Sequence, residues 1–383
     1  MTAHERTGSR PDISKFIGFD HCHFWVSNAK QAASYYAIRF GMEAYAYAGL
    51  ETGSRETATW VVKKNKIIFA FSSTLVPKET EMMKQIAVSG DFVRDVAFEV
   101  ADCESLYAKA IERGAVSVSE PRTMTDPNHE GSVIVATVKS YGNTHHSFIQ
   151  RNGYTGPFLP GFKAVTAQDP VLEGLPDTKL ELIDHVVGNQ GDNEMESVVS
   201  WYEKILNFHR FWSVDDTQVC TEFSSLRSVV VTDYDEVIKM PINEPAAGLR
   251  KSQIQEFVEY HGGAGVQHIA LLTDDILTSI RALRKRGLEF LVIPKKYYSN
   301  LRVRLAKSPV QIAESLDEIE TEGLLVDFDD KGYLLQLFTK PLEDRPTLFY
   351  EIIQRRNLSG FGAGNFKALF ESIEREQEAR GNL

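Results

Sequence analysis

The sequence predicts an α+β protein built from duplicated βαβββ modules, with two modules in each half of the chain. Three observations support this fold class. Short apolar segments recur in the same order in both halves, a helix-like stretch follows the first two segments of each set, and a region rich in glycine and proline separates the halves. A glycine-rich segment and an amphipathic stretch close the chain, which predicts a C-terminal helix.

The first repeated element is a strand followed by a helix and a helix-stopping residue. Residues 19–26 precede a helix-like stretch at 29–40 that stops at Gly41. Residues 183–188 precede a similar stretch at 198–206 that stops at Asn207. Glycine and asparagine both adopt the left-handed conformation that ends helices, so each segment predicts a strand, a helix and a second strand.

Two further pairs complete the repeat. Residues 93–100 and 266–272 each precede a helix-like stretch, at 103–113 and 276–286, which ends at Gly114 and Gly287. Residues 147–151 match residues 351–355. We therefore predict an N-terminal domain at 1–151, a linker at 152–177 and a C-terminal domain at 178–383 that includes the final helix.

The matched positions differ in chemistry between the halves. His21 corresponds to His185, Asp95 to His268 and Ser147 to Glu351, so the C-terminal half presents His, His and Glu where the N-terminal half presents His, Asp and Ser. The first set consists of good ligands for a first-row metal, and each ligand lies on a different strand. His21, His23, His145 and His146 allow a second metal site in the N-terminal half, although a structural or interface role is the stronger prediction there.

His185, His268 and Glu351 each lie in an apolar strand segment. A single histidine in such a strand is usually a satisfied core residue, and a strand glutamate usually faces solvent. A carboxylate on an inward face, however, is costly to bury unless it is paired or bound to a metal. Two imidazoles and one carboxylate form the facial triad typical of non-haem Fe(II), although ligand type alone leaves Zn and Mn open.

Several segments around the predicted site have a defined expected conformation. Residues 241–245 are expected to form a loop before a helix start, which makes Asn243 and Gln253 loop-borne polar groups. Gln336 and Phe338 share one face of a strand, whereas Gln267 would point away from its neighbour His268 in a regular strand. The tail predicts a glycine hinge at 361–366 and a helix at 367–380, which could close over the metal as a lid.

Composition limits the possible partners. A chain of 383 residues suits two domains, and its net charge of -11 does not favour nucleic acid or an anionic membrane as a partner. The three cysteines are far apart, and neither a signal peptide nor a membrane-spanning stretch is visible. A soluble, cytoplasmic protein is the expectation.

The segments at 183–189, 241–245, 265–270, 332–339, 345–355 and 360–366 together resemble the 4-hydroxyphenylpyruvate dioxygenase family of the vicinal oxygen chelate superfamily. The resemblance covers nearly the whole chain and is densest after residue 182. It implies two open-barrel domains of the vicinal oxygen chelate type, of which the N-terminal one is non-catalytic and the C-terminal one binds iron. The C-terminal helix would act as the lid.

The resemblance also implies the activity. One Fe(II) per subunit would be bound by His185, His268 and Glu351, and the enzyme would convert 4-hydroxyphenylpyruvate and O2 to homogentisate and CO2 in tyrosine breakdown. Gln267 and Gln336 would lie beside the iron and the keto acid as catalytic residues. The substrate pocket implied by the resemblance comprises Ser228, Asn243, Gln253, Gln267, Gln336, Phe338, Phe349, Phe361, Asn365 and Phe366.

Other functions remain open at this stage. A 4-hydroxymandelate synthase would use the same iron and substrate but hydroxylate the side chain, and an extradiol catechol dioxygenase would share the three ligands. A non-catalytic binding protein on the same scaffold would usually lack those ligands. The family resemblance further implies a homodimer or homotetramer.

Overall fold

The computed structural model describes residues 2–4, 10–214, 225–246, 248 and 250–382, and the following description covers those residues. The N-terminal half contains the elements β1 Thr2–Ala3, β2 Phe16–Trp25, α1 Ala29–Phe40, β3 Glu43–Ala48, β4 Thr57–Lys64, β5 Ile67–Thr74, α2 Glu81–Ser89, β6 Phe92–Val100, α3 Cys103–Glu112, β7 Ser117–Met124, β8 Ser132–Lys139, β9 His145–Asn152 and β10 Lys163–Ala164.

The C-terminal half repeats this plan and adds helices. Its elements are β11 Leu180–Asn189, α4 Met195–Leu206, β12 His209–Val214, β13 Ser225–Thr232, β14 Lys239–Ala246, α5 Gln253–His261, β15 Gly265–Thr273, α6 Ile276–Lys285, α7 Lys295–Leu305, α8 Leu316–Glu322, β16 Leu325–Phe328, β17 Tyr333–Phe338, β18 Phe349–Arg356 and α9 Phe366–Arg380. None of the helices in the described ranges is long and apolar enough to span a membrane.

The strands form two curled mixed sheets, as the duplicated modules predict. The strand orders are β10-β3-β4-β5-β2-β6-β9-β8-β7 and β1-β12-β13-β14-β11-β15-β18-β17-β16. In each sheet the two modules meet at an antiparallel pair, β2 with β6 or β11 with β15, and parallel neighbours flank that pair. Two short strands do not follow the predicted domain boundaries. Strand β1 joins the C-terminal sheet, and β10, within the predicted linker, joins the N-terminal sheet. The domain boundaries stay a prediction.

The helices end near the predicted stop residues, and side-chain caps mark several of their starts. Helix α1 spans the predicted residues, with Asn28 accepting from the backbone N–H of Gln31 and Gly41 in the left-handed conformation at φ 69°. Helix α4 ends at Asn207 with φ 54° but begins at Met195, three residues before the predicted start. Asp102 and Asp275 cap the repeated helices α3 and α6 through their side chains, so capping is conserved between the halves.

The prediction of a loop with Asn243 and Gln253 as loop-borne groups is wrong, because residues 241–245 belong to strand β14 and Gln253 is the first residue of helix α5. The backbone carbonyl of Asn243 accepts from Gln190 at 2.8 Å, so alternate residues Pro241, Asn243 and Pro245 turn their backbone groups towards β11. Strand β11 pairs with β14 only at Gly188 and Asn189. The two prolines lack an N–H only on the side facing β11, so the backbone hydrogen bonds between β14 and β13 are intact. For this reason the strand tolerates both prolines.

A continuous hydrophobic core contains residues from both sheets and from the helices that pack on them. At its centre the hydroxyl groups of Tyr36 on α1 and Tyr350 on β18 lie 2.9 Å apart, and both side chains are buried. One hydroxyl donates to the other, so each has a hydrogen-bond partner although both are buried. This pair links the N-terminal half to the strand that carries Glu351.

The tyrosine pair predicts a pattern of stability changes. Tyr36→Phe or Tyr350→Phe alone leaves one buried hydroxyl unpaired and should cost about 1–3 kcal/mol of unfolding free energy. The double variant Y36F/Y350F leaves no unpaired hydroxyl and should cost less than the sum of the single changes. Urea unfolding of all four proteins measures this coupling; strictly additive losses would contradict the pairing.

Candidate metal centre

Three neighbouring strands bring the predicted metal ligands together. His185 lies on β11, His268 on β15 and Glu351 on β18, and these strands are adjacent in the sheet. One Glu351 oxygen, Oε2, lies 3.2 Å from Nε2 of His185 and 3.4 Å from Nε2 of His268. All three residues are at least nine-tenths buried. Among the described residues, they form the one group whose ligand atoms are close enough to hold a metal ion.

The outer nitrogen of each imidazole is fixed by a hydrogen bond. Nδ1 of His185 lies 2.7 Å from the carboxylate of Asp184, and Nδ1 of His268 lies 2.8 Å from Oε1 of Gln267. Each Nδ1 therefore carries the proton, which leaves the Nε2 lone pair directed at Glu351. Such partners fix the tautomer and the ring orientation of a metal-binding histidine.

Gln267 reaches the site because of a β-bulge. Val187 pairs with His268 and the next residue, Gly188, pairs with Val266, so Gln267 lies opposite no residue of β11. The bulge turns the Gln267 side chain to the same side as His268. The alternation of a regular strand, which would have directed Gln267 away, does not hold at this position.

A chain of hydrogen bonds fixes Glu351. Nε2 of Gln336 donates to Oε1 of Glu351 at 3.1 Å, and Nδ2 of Asn365 donates to Oε1 of Gln336 at 3.1 Å. The hydroxyl of Tyr297 lies 2.7 Å from Oδ1 of Asn365 and accepts from the backbone N–H of Val326 at 2.7 Å. The chain occupies Oε1 of Glu351 and leaves Oε2 facing the two histidines.

Burial and charge oppose each other at the ligands. Burial alone would lower the pKa of His185, but the charges and hydrogen bonds of Glu351 and Asp184 raise it above its ordinary value. Burial likewise works against the Glu351 carboxylate, yet the two histidines keep its pKa below the usual range. For His268, burial dominates and lowers the pKa. The site therefore favours an ionised carboxylate beside imidazoles.

A pocket opens from the three ligands between β13, β14 and the tail. Phe349 stacks on the ring of His268 at 4.9 Å, and Phe361 meets the ring of His185 edge-on at 5.1 Å. Of the predicted pocket residues, those in the pocket wall are Ser228, Asn243, Gln253, Gln267, Phe338, Phe349, Phe361 and Phe366. The other two, Gln336 and Asn365, lie in the hydrogen-bonded chain behind Glu351.

The C-terminal tail forms one side of the pocket. Helix α9 begins at Phe366, one residue before the predicted start, and places Phe366, Leu369 and Phe370 in the wall. The enclosed space measures about 60 Å³, enough for only a few water molecules. The C-terminal end of α9 is fixed by Arg380, whose guanidinium lies 2.9 Å from the buried carboxylate of Glu256 on α5.

Three residues that contact the site were not predicted from the sequence. Arg355 on β18 forms a bidentate pair with Asp184, with both N–O distances at 2.8 Å, and Tyr297 supports Asn365. A signal for the first two exists in the repeat, because Asp184 and Arg355 correspond to Asp20 and Arg151. Tyr297 lies in α7, which has no counterpart in the N-terminal half, so the repeat carries no signal for it.

The N-terminal half keeps part of this arrangement. Nδ1 of His21 lies 2.7 Å from Asp20, which pairs with Arg151 at 2.9 and 3.0 Å. Asp95 accepts hydrogen bonds from the backbone N–H and the hydroxyl of Ser147. Its carboxylate is thus engaged within the protein. No group of three metal ligands gathers there among the residues that the structure describes.

The donor set suits a divalent metal of the iron type. Two imidazoles and one carboxylate converge with their ligand atoms within 4.8 Å of one another. The remaining side of the cluster faces the pocket, which leaves coordination positions for substrate. A closed structural zinc site would instead use four protein ligands.

The fold and this site define a member of a broad enzyme superfamily. Residues 182–337 match the family model for the Glyoxalase/Bleomycin resistance protein/Dioxygenase superfamily. The particular family follows from full-length relatives. The chain is 58% identical to 4-hydroxyphenylpyruvate dioxygenase of Tetrahymena thermophila, over 98% of this chain and 94% of that one. It is 55% identical to the Danio rerio enzyme of the same name, over 100% of this chain and 96% of that one. The chain belongs to the 4-hydroxyphenylpyruvate dioxygenase family.

A solved structure shows the same architecture. A triple mutant of 4-hydroxymandelate synthase from Streptomyces coelicolor superposes with a TM-score of 0.80 at 28% identity, covering 94% of this chain and 99% of that one. The duplicated βαβββ modules predicted from the repeat, and the open-barrel form that the family resemblance implies, are thus confirmed. The synthase is more distant in sequence than the dioxygenases above.

The contact between Asp184 and His185 predicts a specific loss of metal affinity. Asp184→Asn removes the charge that holds the imidazole and leaves Arg355 unpaired, so the metal should bind about 10–100-fold more weakly. Asp20→Asn is the matched control, because it makes the same change at the repeated position. Titration of each apoprotein with Fe(II) under nitrogen measures the affinity; equal losses in both variants would refute the role of Asp184.

Proposed function

We propose that this chain converts 4-hydroxyphenylpyruvate and O2 to homogentisate and CO2. The reaction combines oxidative decarboxylation, ring hydroxylation and side-chain migration; one oxygen atom enters the new carboxylate and the other enters the ring. The observation that carries the proposal is the buried cluster of His185, His268 and Glu351 at the base of an aromatic pocket, in a chain whose relatives of that name match it over its whole length.

We propose one Fe(II) per subunit, held by Nε2 of each histidine and Oε2 of Glu351. A divalent ion with one carboxylate ligand leaves a net charge of +1, because the neighbouring Asp184 is neutralised by Arg355. That charge suits a mono-anionic 2-oxo acid, which can offer two oxygens. When bound, the iron supplies a chelation site for the oxo acid and activates O2.

Gln267 and Gln336 position the reacting groups in this proposal. Oε1 of Gln267 accepts from His268, so its amide N–H groups are available to the pocket, where they can donate to the oxo acid. The amide of Gln336 is shared between Glu351 and Asn365. Its role follows from those bonds: it keeps one carboxylate oxygen away from the metal and the other towards it.

The aromatic pocket fits the phenol ring of the substrate. Phe338 and Phe349 lie 6.2 Å apart at an interplanar angle of 71°, which presents two apolar surfaces above the metal site. Phe361 and Phe366 supply the surface on the tail side. Ser228 and Asn243 are cross-strand neighbours, and with Gln253 they offer polar partners for the phenol hydroxyl.

We propose that α9 acts as a lid over this pocket. A space of about 60 Å³ is too small for a substrate of this size, so substrate entry requires Phe361, Phe366 and Leu369 to move. Gly362, at φ 71°, lies between the first two of these residues, in a backbone conformation that favours glycine. Closure would exclude water from the oxo acid before the reaction proceeds.

Product analysis decides between this function and that of 4-hydroxymandelate synthase. The purified enzyme with Fe(II), 4-hydroxyphenylpyruvate and O2 should release homogentisate and CO2 in equal amounts, with matching oxygen uptake. A hydroxymandelate product without homogentisate would overturn the proposal and support side-chain hydroxylation. Uptake of oxygen with a catechol and none with the pyruvate would support an extradiol enzyme.

Two further properties belong to the same proposal. The buried, unpaired thiols of Cys22 and Cys103 suit a reducing compartment, and the cytoplasm is the proposed location. A homodimer or homotetramer is the proposed assembly. Mass measurement in solution tests it directly.

Loss of the single anionic ligand should abolish metal binding and turnover together. Glu351→Ala should retain little iron and less than about one hundredth of the wild-type rate, because two imidazoles alone bind Fe(II) poorly. Ser147→Ala is the repeated-position control and should keep its iron content. Metal analysis and oxygen uptake provide the readouts; near-normal turnover in the glutamate variant would remove the site assignment.

Truncation of Phe361 should separate substrate binding from metal binding. Phe361→Ala should keep its iron but raise KM by about threefold to tenfold, since the proposed contact of this ring with the substrate ring would contribute roughly 0.5–1.5 kcal/mol. Phe158→Ala is the matched control, because Phe158 meets His21 edge-on at 4.8 Å in the N-terminal half. The control variant should be less stable, but the KM of its folded fraction should equal the wild-type value. An unchanged KM in the Phe361 variant would contradict the lid proposal.

A further inference from the structure

The concave face of the N-terminal sheet encloses a cavity that the proposed reaction does not use. Its volume is about 420 Å³, against about 60 Å³ for the pocket at the metal site. A volume of this order is typical of small-molecule sites. The cavity is lined by strands β2, β6, β8 and β9 and by linker residues that include Phe158.

The difference in volume has two causes: helix α9 fills one side of the metal-site pocket and has no counterpart in the N-terminal half, and the side chains differ at repeated positions. Thr137 pairs with Ser147 as Phe338 pairs with Glu351, so a threonine replaces one pocket phenylalanine. His145 precedes Ser147 by two residues, as Phe349 precedes Glu351. Smaller and more polar side chains thus occupy the places of two aromatic rings. The cavity is wider for these two reasons, and its wall can form hydrogen bonds.

Arg94 enters the cavity through the same kind of bulge that turns Gln267. His23 pairs with Asp95 and the next residue, Phe24, pairs with Val93, so Arg94 lies opposite no residue of β2. Its side chain is 8% exposed, and its Nε–H has no hydrogen-bond partner. A buried guanidinium N–H without an acceptor is costly, and an acceptor inside the cavity would satisfy it.

His145 and Arg122 supply two further groups of the same kind. His145 is 8% exposed and forms no hydrogen bond through its ring within the described residues. Burial, with the nearby charge of Arg94, lowers its pKa to about 3, so the imidazole is neutral at pH 7 and can donate one N–H. Arg122 lines the cavity from the edge strand β7 and has no ion-pair partner in the described part of the chain.

The acidic groups of the cavity are already engaged. Asp95 accepts two hydrogen bonds from Ser147, and burial raises its pKa. Glu81 lies 3.3 Å from Arg94, which balances one guanidinium. Glu81 and Asp95 together match the charges of Arg94 and Arg122, so the cavity offers an anion free hydrogen-bond donors and not an excess of positive charge. Arg122 itself forms no ion pair among the described residues. Apolar surface lies beside these groups, because the Arg94 guanidinium stacks over the ring of Trp25 at 4.3 Å and Phe158 packs against His21.

We propose that this cavity binds a small planar organic carboxylate, at a site separate from the proposed iron centre. The carboxylate accepts from Nε–H of Arg94 and from the imidazole of His145 and is attracted by Arg122, while the planar body packs between Trp25 and Phe158. The proposal concerns an organic anion and not a metal, since no three metal ligands gather there in the described residues. It does not depend on the reaction proposed above.

The location of the ligand can be observed directly. Crystals of the full-length protein soaked with 4-bromobenzoate should show an anomalous bromine peak inside the N-terminal cavity, with the carboxylate towards Arg94 and His145. The same probe could also occupy the aromatic pocket beside the metal ligands. A peak only in that second pocket, or in neither, would overturn the proposal.

Solution binding then tests the residues. Calorimetric titration with 4-bromobenzoate should show a class of binding sites whose affinity falls at least about tenfold in Arg122→Gln and in His145→Leu. Arg55→Gln removes one exposed arginine outside the cavity and should leave that class within twofold of wild type. Thermal midpoints establish that each variant is folded. If Arg122→Gln and His145→Leu bind the probe as Arg55→Gln does, the proposal fails, even if a peak is seen in crystals.

Discussion

The ion pair between Asp184 and Arg355 is the interaction on which the metal site depends. Asp184 lies on β11 and Arg355 on β18, and β15 separates those two strands, so the pair crosses one strand and fixes the two outer ligands relative to each other. The same aspartate holds the ring of His185. Both side chains are largely buried, and removing one partner of such a pair typically costs about 3–5 kcal/mol. Arg355 also donates to the backbone carbonyls of Leu358 and Gly360, which connects ligand geometry to the start of the tail.

The same ion pair and histidine contact occur in both halves of the chain. Asp20, His21 and Arg151 repeat the contacts, and Arg151 donates to the carbonyl of Phe158 at 2.6 Å. Phe158 and Phe361 each meet their histidine at an interplanar angle of 78°. The supporting contacts therefore do not by themselves make a metal site. Metal binding is decided at the second and third ligand positions. In the N-terminal half these are Asp95 and Ser147, and Ser147 donates two hydrogen bonds to the Asp95 carboxylate.

The sequence alone predicted the features that repeat and failed at features set by distant contacts. The strands that carry His185, His268 and Glu351 could be placed because their counterparts recur in order, and α1 was predicted at both ends because Asn28 and Gly41 act locally. Gln267 could not be oriented, since its bulge is a property of two paired strands. The strand at Pro241 and Pro245 was missed because proline argues against a strand unless no paired residue of the neighbouring strand needs its N–H. Only the register of β14 against β11 and β13 reveals that.

The two concave faces of the scaffold offer different chemical groups to a ligand. In the C-terminal half, Phe338 and Phe349 reduce the space around three converging ligands, so a metal with an aromatic substrate is the best match. In the N-terminal half, Thr137 and His145 at those positions leave room, and a bulge places Arg94 where the other half has the neutral amide of Gln267. The change from an amide to a guanidinium alters the charge at one fixed point of the fold. Together with Asp95 and Ser147 in place of His268 and Glu351, this change makes the N-terminal face a better match for an anion held by a guanidinium than for a cation held by a carboxylate and imidazoles.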